Sequence, residues 1–348
     1  MGICMAFFVL HSDITVGGFR FSGVQNVVVR RSMNGLSSSA HITLPGKARV
    51  DQAIAGRDAE GFVNTGSLLK EGDRVTINLG YNDDLRTEFE GYVKRVGTEV
   101  PLVVECEGYE RELRLVVNIN RYYQATTAKD LLTDMCSQTS INVICDVDFP
   151  LRGIRLVNAD GIDVINHIKK CSEGALSIFF IAPSTLWCGL VYTPYLDGKG
   201  VLDLPTVAYD LGYNCPRDNG LQRRVPAEKV QVFMNGVLVS GDGVRTESKD
   251  KEAKRKVRFF TNNVPSESVL QACANEIANR RNYTGYTGSL TGFLQPYCMP
   301  GYVASVSDVW HPELKGDYLI EDVEVTFGVN GARRRVSLGV KLNGGQNS

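Results

Sequence analysis

The chain is short of the residues that usually announce chemistry. It has only 4 histidines in 348 residues, His11, His41, His167 and His311. None has a second His, Cys or carboxylate at helical ligand spacing, so the sequence predicts no metal site and no His-based catalysis. Tryptophan is almost absent: Trp187 and Trp310 are the only two, and Trp187 lies in an apolar strand. One reading, a β-rich carbohydrate-binding module, would show exposed Trp or Tyr platforms, and tryptophan supplies little for them. Neither sign of charge dominates, with 38 Lys and Arg against 39 Asp and Glu. Net electrostatics therefore offer no general attraction to nucleic acid or to an anionic membrane. Base-stacking aromatic interleaving is also missing.

Long hydrophobic runs are lacking too. The stretch Ile3–Leu10 is too short to span a bilayer and has no basic flank of a signal peptide, so it reads as a first strand. Met1-Gly2 is followed by Ala6 where a myristoylation signal wants Ser or Thr. The nine cysteines (Cys4, Cys106, Cys136, Cys145, Cys171, Cys188, Cys215, Cys273 and Cys298) form no C-x-x-C pair and sit mostly in apolar runs. This favours buried, reduced thiols of a protein folded in the cytoplasm. No G-x-S-x-G elbow, phosphate loop or dinucleotide turn occurs. Asp146-x-Asp148 and Asn82-Asp83-Asp84 do not continue into a calcium loop and read as a strand end and a turn. The candidate catalytic, cofactor-binding and metal-ligating sets are accordingly empty, and no cofactor is expected.

What is present is glycine, 35 of them, and Val-rich alternation. One β-module is written twice. The first copy runs from Glu71-Gly72-Asp73 through Val75, Ile77 and Leu79 to the turn Tyr81-Asn82-Asp83-Asp84. It returns through Phe89, Gly91, Tyr92, Val93 and Val96 and ends at Leu102–Cys106. The second runs from Pro300-Gly301 through Val303 and Val306 to His311-Pro312-Glu313, returns through Gly316–Ile320, Val323 and Val325, and ends at Arg335–Val340. Residues 14–46 read as a hairpin around Ser32-Met33-Asn34-Gly35.

Between the copies the periodicity becomes helical behind a Thr cap over 126–136, and again over Ala159–Glu173 with Gly174 as its stop. Strands are expected at Asn142–Val147, Leu176–Ala182 and Leu186–Tyr192. Asn235-Gly236, between Val230–Met234 and Gly236–Val239, predicts a hairpin turn. A charged loop over Glu247–Lys256, a third helix over Ser266–Asn282 and a frayed tail at Gly344–Ser348 complete the reading. The fold class is mainly β with α+β: two related antiparallel β-barrel domains packed with a small α/β domain. Its expected stretches are 1–118 (first barrel), 119–202 (α/β, two helices), 203–265 (β-rich connection) and 266–348 (helix and second barrel).

In this order the chain resembles the baseplate hub proteins of contractile-tailed phages and prophages, including the Mu-like tail hub and late-control hub proteins, with kinship to type VI secretion spike proteins. Three segments carry the resemblance: Val27–Met33 leading to Ala40–Pro45, Gly72–Ile77 and Phe89–Val93; Thr127–Leu132; and the helix 266–282 leading through Gly288–Gly292 to Pro300-Gly301 and Gly316–Val323. The resemblance implies a non-enzymatic virion structural protein, assembled in the bacterial cytoplasm. It would form a homotrimer whose six barrels make a collar between the tail tube and a separate spike protein, with DNA passing through the channel. Basic runs at Arg30-Arg31, Arg223-Arg224, Lys254-Arg255-Lys256, Arg280-Arg281 and Arg333-Arg334-Arg335 read as solvated faces. The sharper expectation places some of them in the channel or in ion pairs between subunits. The alternative is a tail-associated carbohydrate-active or peptidoglycan-cleaving enzyme, whose carboxylate pair sequence alone does not reveal.

Overall fold

In the computed structural model, residues 9–342 are described except 22, 50–60, 148, 193–204, 216–219, 239, 249–252 and 265. Most of the apolar stretch expected as a first strand (residues 3–8), Asp148 and the tail Gly344–Ser348 thus lie outside the described residues.

The first module comprises β1 (Leu10–Val16), β2 (Phe19–Phe21), β3 (Asn26–Ser32), β4 (Ser38–Leu44), the short pair β5 (Lys47–Arg49) and β6 (Phe62–Asn64), α1 (Thr65–Leu68), β7 (Arg74–Tyr81), β8 (Asp84–Val96) and β9 (Leu102–Glu107). The middle region follows with α2 (Glu110–Leu115), β10 (Ile119–Thr127), α3 (Ala128–Cys136), β11 (Asn142–Cys145), β12 (Pro150–Ala159), α4 (Gly161–Cys171), β13 (Ser177–Ala182) and β14 (Thr185–Gly189). The remainder is β15 (Thr206–Asp210), β16 (Gln222–Arg224), β17 (Val230–Leu238), β18 (Gly243–Glu247), β19 (Arg255–Val264), α5 (Glu267–Asn282), β20 (Gly285–Gly292), β21 (Val303–Ser307), β22 (Gly316–Gly328) and β23 (Gly331–Lys341).

Each principal helix begins where its cap is encoded. Thr127 accepts from the Asp130 N–H, Asp160 and Asp163 form a reciprocal capping box, and Ser266 accepts from the Val269 N–H. These side chains satisfy N–H groups that the helix itself leaves without partners. Lys169 and Lys170 close α4, and Arg280 and Arg281 close α5, opposite the negative end of the helix dipole. Gly174, with φ +73°, lies just beyond α4.

The mainly β reading holds, and the strands do more than form two separate modules. Thirteen of them make one sheet, ordered β16-β20-β23-β22-β3-β4-β9-β8-β7-β1-β2, with β21 beside β22 and β15 beside β21. Among the described residues the path stays open, and no barrel closes. One hydrophobic core serves both modules, joining Val27, Ile42 and Ile77 of the first to Leu290, Val325 and Val336 of the second. A second core unites α3, α4, α5 and β17, through Leu132, Ile165, Val232 and Leu270. Phe179 and Trp187, edge to face at 5.4 Å, anchor a third that reaches Val303 and Leu319.

The turn expected at Asn235-Gly236 is not formed; β17 runs straight through it. Asn235 pairs with Arg245 of antiparallel β18 on one side and with Phe260 of parallel β19 on the other. A central strand with both ladders filled outweighs a local turn preference, since reversal at that point would strand two rows of hydrogen bonds. The chain reverses later instead, near Gly241, whose φ is +94°. The eight described cysteines are free, and burial pushes the thiols of Cys106 and Cys273 up to about 12.

Glu110 ties α2 to the first module. Its Oε1 accepts from the N–H groups of Ser38 and Gly108, each at 3.1 Å, while Oε2 is buried without a partner. Burial outweighs those backbone bonds and pushes its carboxyl up from 4.5 to about 7. The folded state therefore holds a proton that the unfolded chain releases between these values. Stability from this group is present below about pH 4.5 and falls as pH rises through about 7, by on the order of 3 kcal/mol. Denaturant unfolding of the Glu110→Gln variant at about pH 5 and about pH 8 should lack this component of the pH dependence; an unchanged slope contradicts the assignment.

Candidate functional site

The two modules match bond for bond at their openings. Lys70-Glu71-Gly72-Asp73 and Met299-Pro300-Gly301-Tyr302 are both turns closed by a 3.1 Å hydrogen bond from the fourth residue's N–H to the first residue's carbonyl. Gly72 and Gly301 hold φ of +86° and +91°, values that the third position of a type II turn requires and glycine supplies freely. Gly72 N–H then donates to Val93 O, and Val93 N–H to Asp73 O; Gly301 N–H donates to Ile320 O, and Ile320 N–H to Tyr302 O, all at 2.8 Å. Val93 and Ile320 are thus equivalent.

The correspondence continues across the sheet. Val93 faces Cys106, and after a bulge Arg95 faces Glu105; Ile320 faces Leu338, and after a bulge Asp322 faces Ser337. Bulges re-aim a strand, and this one falls at the same place in both modules, although β22–β23 carries a further register shift between Tyr318 and Ile320 that β8–β9 lacks. Ala40 beside Cys106 matches Gly288 beside Leu338, so β4 corresponds to β20. Ser39 beside Arg30 then matches Thr287 beside Gln222, so β3 corresponds to β16. One difference stands out: β1 joins β7 antiparallel, whereas β15 joins β21 parallel.

The modules meet where β3 lies along the C-terminal half of β22, from Ser32 opposite Asp322 to Asn26 opposite Gly328. On the solvent side, a row of side chains crosses this joint with alternating charge. Arg30 Nε bonds Glu324 at 2.5 Å, and Glu324 faces Arg335, whose Nε donates to the Ser289 hydroxyl at 2.7 Å. A groove of about 430 Å³ lies over the row, lined by Arg30, Ser32, Ser39, Asp322, Glu324 and Arg335. Arg30 is more than half exposed, so this pair contributes at most about 1 kcal/mol and chiefly fixes register.

On the buried side the joint is held by charge of another quality. Glu88, 1% exposed, takes Arg31 Nη2 at 2.7 Å and Arg334 Nη2 at 2.5 Å on its two oxygens. Arg334 also donates to Leu294 O at 3.0 Å and Cys298 O at 3.3 Å, and lies over the Tyr297 ring. Burial alone would lower the Arg334 guanidinium, but the charge of Glu88 outweighs it and raises the group, which stays protonated. Arg31 and Glu88 belong to the first module and Arg334 to the second. The triad clasps them together.

The basic runs are therefore split residue by residue. Arg31 and Arg334 are internal joints, contrary to a reading of those runs as solvated faces. Arg280 pairs with buried Glu276, and Arg224 donates to the carbonyls of Tyr283 and Arg281 while covering the Tyr283 ring. Arg333 covers Phe293, Lys256 lies over Phe233, and Arg223 stays on an exposed strand. Asp146 accepts from Trp187 Nε1 at 2.6 Å, and Asn82, with φ +53°, makes the β7–β8 turn. His11 bonds the Asn82 carbonyl, and His41 sits in β4 opposite Glu105. Among the described residues, no three His, Cys, Asp or Glu side chains gather as metal ligands. No helix there is long and apolar enough to cross a membrane.

Sequence reasoning missed the triad, though parity carried its signal. Arg31 follows Val27 and Val29 on the inward face of β3, and Arg334 falls between Ala332 and Val336 on the inward face of β23. A charge at an inward position calls for a buried partner.

No protein-family model and no curated protein matches the chain by sequence. Solved structures share its fold. The 43 kDa tail protein of prophage MuSo2 from Shewanella oneidensis has TM-score 0.61 and 13% identity over 95% of this chain and 98% of that one. A tail protein from Neisseria meningitidis MC58 has TM-score 0.61 and 13% identity over 95% and 96%. The E. coli c3393 protein is described as a component of the type VI secretion system with structural similarity to T4 bacteriophage tail proteins gp27 and gp5. It has TM-score 0.55 and 12% identity over 96% of this chain and 79% of that one. Over 95% of its length the chain shares the fold of the Shewanella and Neisseria tail proteins, and over 96% that of the type VI component.

Proposed function

We propose that the chain is a structural hub protein of a virion tail baseplate. Three copies form a ring in which six β-modules join a six-fold tail tube to a three-fold spike. The observation that carries this is the duplicated module. Two copies matched in turn, bulge and strand order, and joined head to tail through β3 and β22, give each chain two quasi-equivalent positions. A trimer of such chains presents six similar surfaces to a hexameric neighbour and three to a trimeric one.

The fold shared with prophage tail proteins supports the same reading. A non-enzymatic role fits two buried carboxylates that are tied into structure: Glu88 is held by two guanidinium groups and Glu276 by backbone N–H groups and Arg280. The partners are then the tube and spike proteins. DNA would pass through the ring without sequence-specific contact, and assembly would take place in the bacterial cytoplasm. Sedimentation equilibrium of the purified chain should give three times the 38.3 kDa chain mass, about 115 kDa. A stable monomer across the concentration range contradicts the proposal.

A further inference from the structure

We infer that the ring closes by pairing β16 of one copy with the outer end of β8 and the two residues that follow it, residues 94–98, of the next. This rests on the trimeric reading above and names the strand edges that make it.

The internal joint supplies the template. Within one chain, β3 of the first module lies on β22 of the second, from Asp322 onward past the bulge. In the module correspondence β3 becomes β16, and the part of β22 beginning at Asp322 becomes the chain from Arg95 onward. The first module thus offers an edge like the one its β3 occupies on the second, and the second module offers a strand like β3.

Both edges are open. β16 is the last strand of the sheet path, and among the described residues it pairs only with β20. On the β7 side of β8, pairing stops at the bonds between Val93 and the Gly72-Asp73 turn, and among the described residues no strand continues beyond it. Lys94, Arg95, Thr98, Gln222 and Arg223 are all exposed. Open edges carry unpaired N–H and C=O groups that favour addition of another strand.

A side chain makes the same point. At the internal joint Met33 follows β3, donates its N–H to Glu321 O at 2.9 Å, and is only 4% exposed. Its counterpart after β16 is Val225, an apolar side chain left 58% exposed. Pairing as at the internal joint brings Val225 N–H to Lys94 O and covers this side chain.

The register follows. Arg31 faces Val323, so Arg223 of one copy faces Val96 of the next; Ser32 faces Asp322, so Arg224 faces Arg95. The latter are like charges, an unfavourable pair directly opposite one another that the neighbouring groups partly offset. Arg95 is paired with Glu105, and Arg224 is turned onto its own Tyr283 and Arg281 carbonyls. The contact is heterologous, so repeating it generates a ring when the rotation closes.

The test mixes the full-length Arg223→Cys chain with the full-length Val96→Cys chain under mild oxidation. Directly opposed strand residues place their Cβ atoms about 4.5 to 5.5 Å apart, which a small backbone adjustment brings within disulfide reach. A disulfide-linked pair should form in the mixture and in neither variant alone, and the chain carrying both substitutions should give a covalent trimer on a non-reducing gel. Wild type under the same oxidation reports any contribution of the native thiols, and sedimentation of each variant reports its assembly. Arg95→Cys with Arg224→Cys, in the same register, replaces the first pair should either of those variants fail to fold. A trimer by sedimentation with no cross-link in either mixture overturns the edge assignment and leaves the trimeric reading intact. A monomer overturns both.

Discussion

Replacing Glu88 by Ala is expected to destabilise the folded chain by roughly 3 to 5 kcal/mol, because it leaves two buried guanidinium groups without a counter-charge. Arg31 and Arg334 are 8% and 1% exposed, so water does not take the place of the carboxylate. A loss of that size is a large share of the roughly 5 to 15 kcal/mol that holds a typical protein folded. Denaturant unfolding measures it directly. Glu88→Gln should lose less, since the amide oxygen still accepts one bond. Substituting all three positions with apolar side chains of similar volume should recover most of the stability, because desolvation of the ions then disappears together with their attraction. A Glu88→Ala loss below about 1 kcal/mol would mean that the triad does not hold the modules together.

Glu276→Ala is the second large loss, on the order of 2 to 4 kcal/mol by the cost of stranding buried donors. Glu276 is fully buried on α5, and its carboxylate accepts from the N–H groups of Val191 and Tyr192 at 3.0 to 3.2 Å. Arg280, one helical turn on, approaches at 3.4 Å and reaches across to the Ser177 hydroxyl at 2.7 Å. The side chain thus fastens α5 to the end of the middle region, where Tyr192 Oη donates onward to Glu321 Oε1 at 3.1 Å. Glu276→Gln keeps one acceptor and should fall between. Protection of the Val191 and Tyr192 amides from hydrogen exchange should drop in Glu276→Ala before global unfolding; unchanged protection there contradicts the role.

The elements were legible in the sequence wherever a local rule governs them. Thr127, Asp160 and Ser266 announce their helices, and Gly72 and Gly301 announce the matched turns. Alternation at Val27, Val29 and Ile42 marks the face that reaches the core. Asn235-Gly236 misled because its turn chemistry is local, whereas the two ladders that hold β17 straight come from segments distant in sequence. The same limit hid the joint between modules. Nothing near Val27–Ser32 states that its partner is Asp322–Gly328, almost three hundred residues away. Arg31 and Arg334 read as parts of basic runs because a run is visible by eye, while inward parity emerges only once the strands are drawn. For the site as a whole, the duplication was legible and the clasp was not.

In the proposed assembly, each chain carries two copies of a single β-module placed to fill successive positions of one ring. Electron cryo-microscopy of the purified protein, averaged without imposed symmetry, tests this most directly. The predicted result is a closed three-fold ring with six similar β-modules at one radius, alternating first and second module around it. A map with the two modules at different radii, or a particle without a three-fold axis, would contradict the account.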